Sequence, residues 1–148
     1  MSLDAHNMNI DEAFATIGTL IQSSTGSVVQ VARPADDVTG LVMWPWRVVD
    51  VSSSQNVSPT HRTTGAITRP QRFVEVSFLL LARPAGSEDS ASQLLQAHRV
   101  LLENPVLGGG SNGRVVAQQL SVEELTAVFT AAHLPLSLCT NYSLHIAL

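Results

Sequence analysis

At 148 residues the chain has the length of one ordinary domain and is expected to fold as one, spanning 1–148. Charged residues make up 14% of it, against ~25% in average globular proteins. Net charge is −4, and the eight basic residues are all arginine, scattered from Arg33 to Arg114. Without a basic stripe to release counterions from a phosphate backbone, nucleic acid is excluded as the expected partner. Cys139 stands alone, which excludes an internal disulfide framework. No apolar run approaches the ~20 residues of a membrane span, so no membrane insertion is expected. The first residues lack a basic segment followed by an apolar one, and the protein is expected in the cytoplasm.

Ile10, Phe14, Ile17, Leu20 and Ile21 recur at helical spacing, with Asn9 as cap and Gly26 as stop, which predicts a helix near 10–23. Val28–Ala32 reads as a short strand, and Leu41–Val51 as a second one. Within the latter, Pro45 cannot donate to a ladder and marks an edge or a bulge. Residues 52–68 are Ser, Thr, Asn, Gly and Pro with few apolar groups, a polar loop longer than most connections. In Arg72–Ala82, Val74, Val76, Phe78 and Leu80 alternate with Glu75 and Ser77, then give way to solid apolar residues, as in a central strand.

Ser90-Ala91-Ser92-Gln93 has the form of a capping box. The helix it opens carries Ala91, Leu94, Leu95, His98, Leu101 and Leu102 on one face, and Asn104-Pro105 ends it. A glycine-rich turn, 108–113, leads to a strand at Arg114–Gln119. Ser121-Val122-Glu123-Glu124 is a second capping box, with Leu120 and Leu125 placed for a hydrophobic staple. Its helix runs to about His133, turning Leu125, Val128, Phe129 and Ala132 inward. Leu138, Tyr142, Leu144 and Ile146 then alternate with Cys139, Asn141, Ser143 and His145 in a half-buried strand expected to face that last helix. The order α-β-β-loop-β-α-β-α-β predicts an α/β (α+β) fold: a single mixed sheet with about three helices packed on it.

Chemistry is hard to find. The run 108–113 follows a helix and lacks lysine, so it does not meet the requirements of a phosphate-binding loop. None of the five histidines pairs at His-x-x-x-His spacing, and Cys139 has no Cys-x-x-Cys partner, which leaves a zinc site unsupported. Cys139 and His145 share a strand face but stand about 20 Å apart, beyond hydrogen-bond reach. Glu123 and Glu124 are adjacent on a helix and point apart, as helix-start acids rather than a catalytic pair. The chain is expected to have no catalytic residue, no cofactor and no metal. Trp44-Pro45-Trp46 places two indoles on one strand face, where they serve either as core or as interface anchors.

Three stretches carry a resemblance. They are Arg69-Pro70 followed by 74–82; Leu94-Leu95 through Leu101 to Asn104-Pro105-Val106-Leu107; and Leu120 to Leu125 with Phe129, Pro135, Ser137 and Tyr142. In order and spacing they resemble the small cap, or tail-terminator, family of contractile injection systems. The family differs at three of these places: tryptophan at Phe129, a basic residue at Leu136 and a small polar one at Leu81. The resemblance implies a tail-terminator-like architecture and a structural cap. It implies a ring homo-oligomer, a hexamer, at the baseplate-distal end of the particle. Its partners would be inner tube and sheath proteins, whose polymerisation it stops.

The polar loop at 52–68 is expected to be an assembly loop, with His61, Arg62 and Arg69 contacting a partner and the arginines pairing with its carboxylates. The alternative is a small non-catalytic binding module whose 52–68 loop holds a ligand or peptide.

Overall fold

The computed structural model describes residues 9–33, 40–50, 60–61, 67–68, 73–83, 88–107 and 113–147. In chain order the elements are α1 (Ile10–Thr25), β1 (Val29–Val31), β2 (Gly40–Asp50), β3 (Thr60–His61), β4 (Ile67–Thr68) and β5 (Phe73–Arg83). They continue as α2 (Glu88–Glu103), β6 (Val106–Leu107), β7 (Gly113–Gln118), α3 (Val122–Ala131) and β8 (Cys139–Ala147). Six strands form one mixed sheet in the order β1-β2-β5-β8-β7-β6. Within it β1 runs parallel to β2, and every other pairing is antiparallel. The expected α+β architecture is therefore present. The loop reading of 52–68 needs correcting, because β3 and β4 pair antiparallel within it. The short β6 was also not anticipated.

Local chemistry explains the helix boundaries. Asn9 Oδ1 accepts the Glu12 amide at 2.8 Å, and Gly26, at φ +76°, closes α1 by donating its N–H to the Gln22 carbonyl. Ser121 Oγ accepts the Glu124 amide at 3.1 Å, and its hydroxyl reaches the Glu124 carboxylate at 3.2 Å. Leu120 and Leu125 flank that cap, both half-buried against the same cluster, as a staple requires. Ser90 is not a cap. Helix α2 already begins at Glu88, so Ser90 lies inside it and is buried. Asn104 closes α2 through its amide and its Nδ2, both donated to the Val100 carbonyl.

The sheet has two unequal faces. On the larger, Val76, Phe78 and Leu80 of β5 and Tyr142, Leu144 and Ile146 of β8 meet Phe14, Ile17 and Ile21 of α1 and Leu94, Ala97 and Leu101 of α2. On the other, Trp44, Leu79 and Leu81 meet Phe129 of α3. This corrects the expectation that β8 packs its apolar residues on α3. Two helices cover that face, and α3 lies behind the sheet, over the odd-numbered residues of β5. Even so, the burial of Ile146 stands. Truncating Ile146 to alanine should cost about 2–5 kcal/mol in denaturant melts, and a loss below ~0.5 kcal/mol would contradict its placement. The α2 face is also narrower than expected, for Leu95 and Leu102 stand 61% and 55% exposed while Ala97 and Val100 are buried instead.

Candidate functional site

Pro45 is where β2 becomes irregular. The pairing with β5 runs Pro45 to Phe78 and resumes at Arg47 to Ser77, leaving Trp46 as an extra residue in a β-bulge. Trp46 shares the face of Trp44, two residues before it, and the bulge brings Arg47 onto that face as well. Trp44, only 8% exposed, meets the Phe129 ring edge-on at 5.7 Å. Trp46 is half-buried; its Nε1–H donates to Asn141 Oδ1 at 3.1 Å, and the Arg47 guanidinium lies 5.1 Å from its ring centre. Between the indoles and α3 is a cavity of about 500 Å³ floored by Trp44, Pro45 and Trp46 and walled by Ala127 and Ala131. The two tryptophans thus divide the roles left open by the sequence. Trp44 is core, and Trp46 is a half-open groove wall.

The edge strands are shorter than the strands they flank. β1 pairs with β2 through Met43, which leaves Trp46–Val49 without a neighbouring strand on that side among the described residues. β6 pairs with Gly113 and Arg114 of β7, and the Val115 amide adds one bond to the Pro105 carbonyl at 2.8 Å. Val116–Gln118 lies beyond it. Beside this second edge, open among the described residues, is a cavity of about 550 Å³, lined by Ala117, Gln118 and Gln119, with His98 on the α2 side and Val122 and Leu125 on the α3 side.

His98 and Cys139 both border that cavity. His98 Nδ1 is hydrogen-bonded to the Tyr142 hydroxyl, the role expected of a core histidine. Burial pushes the Cys139 thiol up to about 11, so at neutral pH it is a protonated, weak nucleophile. His145 pairs instead with Glu75 at 3.4 Å. Among the described residues no three His, Cys, Asp or Glu side chains gather as a metal site would require. Nor is any described helix long and apolar enough to cross a membrane.

Burial also pushes the Tyr142 phenol up to about 12, from an ordinary value of 10. A raised folded-state value means the unfolded chain ionises first, so stability is full below pH ~10 and is lost as pH rises toward 12. Urea melts between pH 8 and 11.5 should show this decline, shared with Cys139, and Tyr142→Phe should flatten it. An unchanged slope in that variant would show that the phenol is not the group responsible.

Of the remaining interface residues named from sequence, His61 is part of β3, while Arg62 and Arg69 lie outside the described residues. What the sequence did not reveal is the pair of free strand edges, because edge position depends on sheet order. Pro45 was the single local clue.

No family model and no curated protein sequence matches the chain. Among solved structures it is similar to the sheath/tube terminator of the extracellular contractile injection system PVC in its extended state. That match has a TM-score of 0.71 at 12% identity, over 97% of this chain and 57% of the other. It is likewise similar to the tube-terminating cap of the anti-feeding prophage, with a TM-score of 0.71 at 10% identity over 96% of this chain and 55% of the other. The chain has the fold of contractile-injection-system terminators. It spans little more than half the length of either terminator chain. Within this terminator fold the resembling motifs are framework: Leu94 and Leu101 are core, Asn104 closes α2, Ser121 opens α3 and Phe129 anchors it.

Proposed function

We propose that this protein is the terminator of a contractile injection particle, a non-enzymatic subunit of one domain. Made in the cytoplasm, it closes as a ring, a hexamer, on the baseplate-distal end of the tube and sheath and stops their growth. The observation that supports this reading is the likeness of nearly the whole chain to a sheath/tube terminator and to a tube-terminating cap. The low charge content and the two strand edges left open among the described residues agree with a surface made to be covered by other subunits.

Particle length tests it directly. Cognate tube and sheath expressed with this protein should give particles of uniform length carrying density at one end; without it they should be longer and variable. Equal length distributions in the two preparations would refute termination. Replacing Ser53–Gly65 by a tight turn should leave the protein folded but give uncapped or irregular tails. Normal capping by that variant would show the polar segment to be dispensable.

A further inference from the structure

Two stretches of strand edge that are open among the described residues, Trp46–Val49 of β2 and Val116–Gln118 of β7, fit each other. The Leu41 amide donates to Val28 O at 3.3 Å, and Met43 O accepts the Ala32 amide at 3.1 Å, so alternate residues of β2 turn their backbone toward β1. Pro45 is next in that series, just past the end of β1, and has no N–H to offer. After the bulge, Arg47 and Val49 pair inward with Ser77 and Glu75, which turns the amide and carbonyl of Val48 outward. At the other edge the Val115 amide points out, to Pro105, and Ala117 follows it two residues later. Val48 and Ala117 are thus the outward-facing positions of the two free edges, and Val48 is 65% exposed.

We infer that β2 of one copy pairs antiparallel with β7 of the next, Val48 opposite Ala117, so that successive sheets join into one continuous sheet around the ring. This rests on the ring proposed above and names the contact that closes it. Direction and face both agree. Three antiparallel steps separate β2 from β7, so the two run in opposite senses within a subunit. Rotation about an axis along the strands preserves strand direction, so the neighbour's β7 meets β2 antiparallel, with the helices of each copy kept on their own side. Val48 pairs with Val76, and Ala117 with Tyr142, which puts both on the face covered by α1 and α2. The register then sets Val49 against Val116 and Arg47 against Gln118 on the opposite face. Apolar meets apolar at Val48–Ala117 and Val49–Val116, and polar meets polar at Arg47–Gln118. Room for the incoming strand exists, because the cavity of about 550 Å³ lies along Ala117–Gln119 and would receive the Trp46 end of the neighbour's strand. Val122, 73% exposed at its rim, would be covered by that contact. The two surfaces differ and sit at opposite ends of the sheet, the arrangement a head-to-tail ring requires.

Cysteine cross-linking tests the register. An antiparallel hydrogen-bonded pair has a Cα separation of about 5.5 Å, which a disulfide can span. In a Cys139→Ser background, Val48→Cys with Ala117→Cys should give, on oxidation, a ladder of three or more linked chains that reductant collapses. Each single variant should remain one chain. Val48→Pro, which removes an outward amide and no internal bond, should reduce the native mass from ring to monomer with the melting temperature unchanged. Dimers from Val48→Cys alone would mean the edge pairs with itself and would overturn the proposal. A native-mass ring without a ladder would overturn it too while leaving the terminator reading intact. A chain that stays monomeric and unlinked overturns this contact as well, and the particle-length measurement then decides the terminator reading separately.

Discussion

Phe78→Ala is expected to remove about 3–5 kcal/mol of stability. Phe78 is fully buried at the middle of β5. Its ring meets Phe14 edge-on at 5.3 Å and stacks on Tyr142 at 5.2 Å, so one side chain joins α1, the central strand and β8. Aromatic pairs of this geometry contribute about 0.5–1.5 kcal/mol beyond their buried area, and both would be lost with the ring. The surrounding backbone belongs to hydrogen-bonded central strands and cannot collapse into the space. Against a total of about 5–15 kcal/mol for a domain, that loss leaves a protein near its folding threshold. Equilibrium urea unfolding at neutral pH measures it, and Phe78→Leu should recover a large part. A loss under 1 kcal/mol for the alanine variant would contradict this packing.

Trp44→Ala is expected to cost a similar ~3–5 kcal/mol, felt in a different place. Helix α3 has a single buried residue, Phe129, whose ring is walled by Trp44 and floored by Leu79 and Leu81. Removing Trp44 enlarges the adjoining cavity and leaves the helix without its main wall. Amide exchange should therefore rise in α3 far more than in α1, whose contacts lie on the opposite face. Trp46→Phe offers the contrast. It keeps apolar bulk but leaves Asn141, already lacking a partner at Nδ2, with no donor at Oδ1. A loss of about 1–3 kcal/mol is expected there. Uniform exchange across all helices in Trp44→Ala would show that α3 is not independently anchored.

Elements with strong local signals were legible. Asn9, Gly26 and Ser121 each bond as their positions suggested, because a cap is decided within four residues, and α2 stops where Asn104-Pro105 stands. The alternation in β5 and β8 fixed which side chains share a face. Which helix covers that face was not legible, since it depends on sheet order and on which side each connection crosses. That is why β8 was matched to the following helix rather than to α1 and α2. The apolar arc of α2 was too wide for the same reason. Leu95 and Leu102 have the helical spacing of core residues, but the sheet is reached from Leu94, Ala97 and Leu101. Trp44-Pro45-Trp46 stood out in the sequence, but not that Trp44 is core while Trp46 borders a groove. The free edges beside them are properties of the whole sheet.

The sheet order also has a consequence for synthesis. β8 lies at the centre, between β5 and β7, yet it comes last in chain order among the described elements and leaves the ribosome after all its neighbours in the sheet. Until it emerges, β5 has one open flank, β7 and β6 form an isolated ribbon, and Phe78 lacks its stacking partner. Two-stranded ribbons are marginal in water, so the nascent chain holds no complete core to fold around. Contacts between β5 and β8 span most of the second half of the sequence, which makes folding slow relative to helix formation. During that interval the partly built sheet exposes unpaired strands, the surfaces most prone to aggregation. Overexpression at lower temperature, or with chaperones that hold open strands, should therefore raise the soluble yield more than any change to the surface of the finished fold.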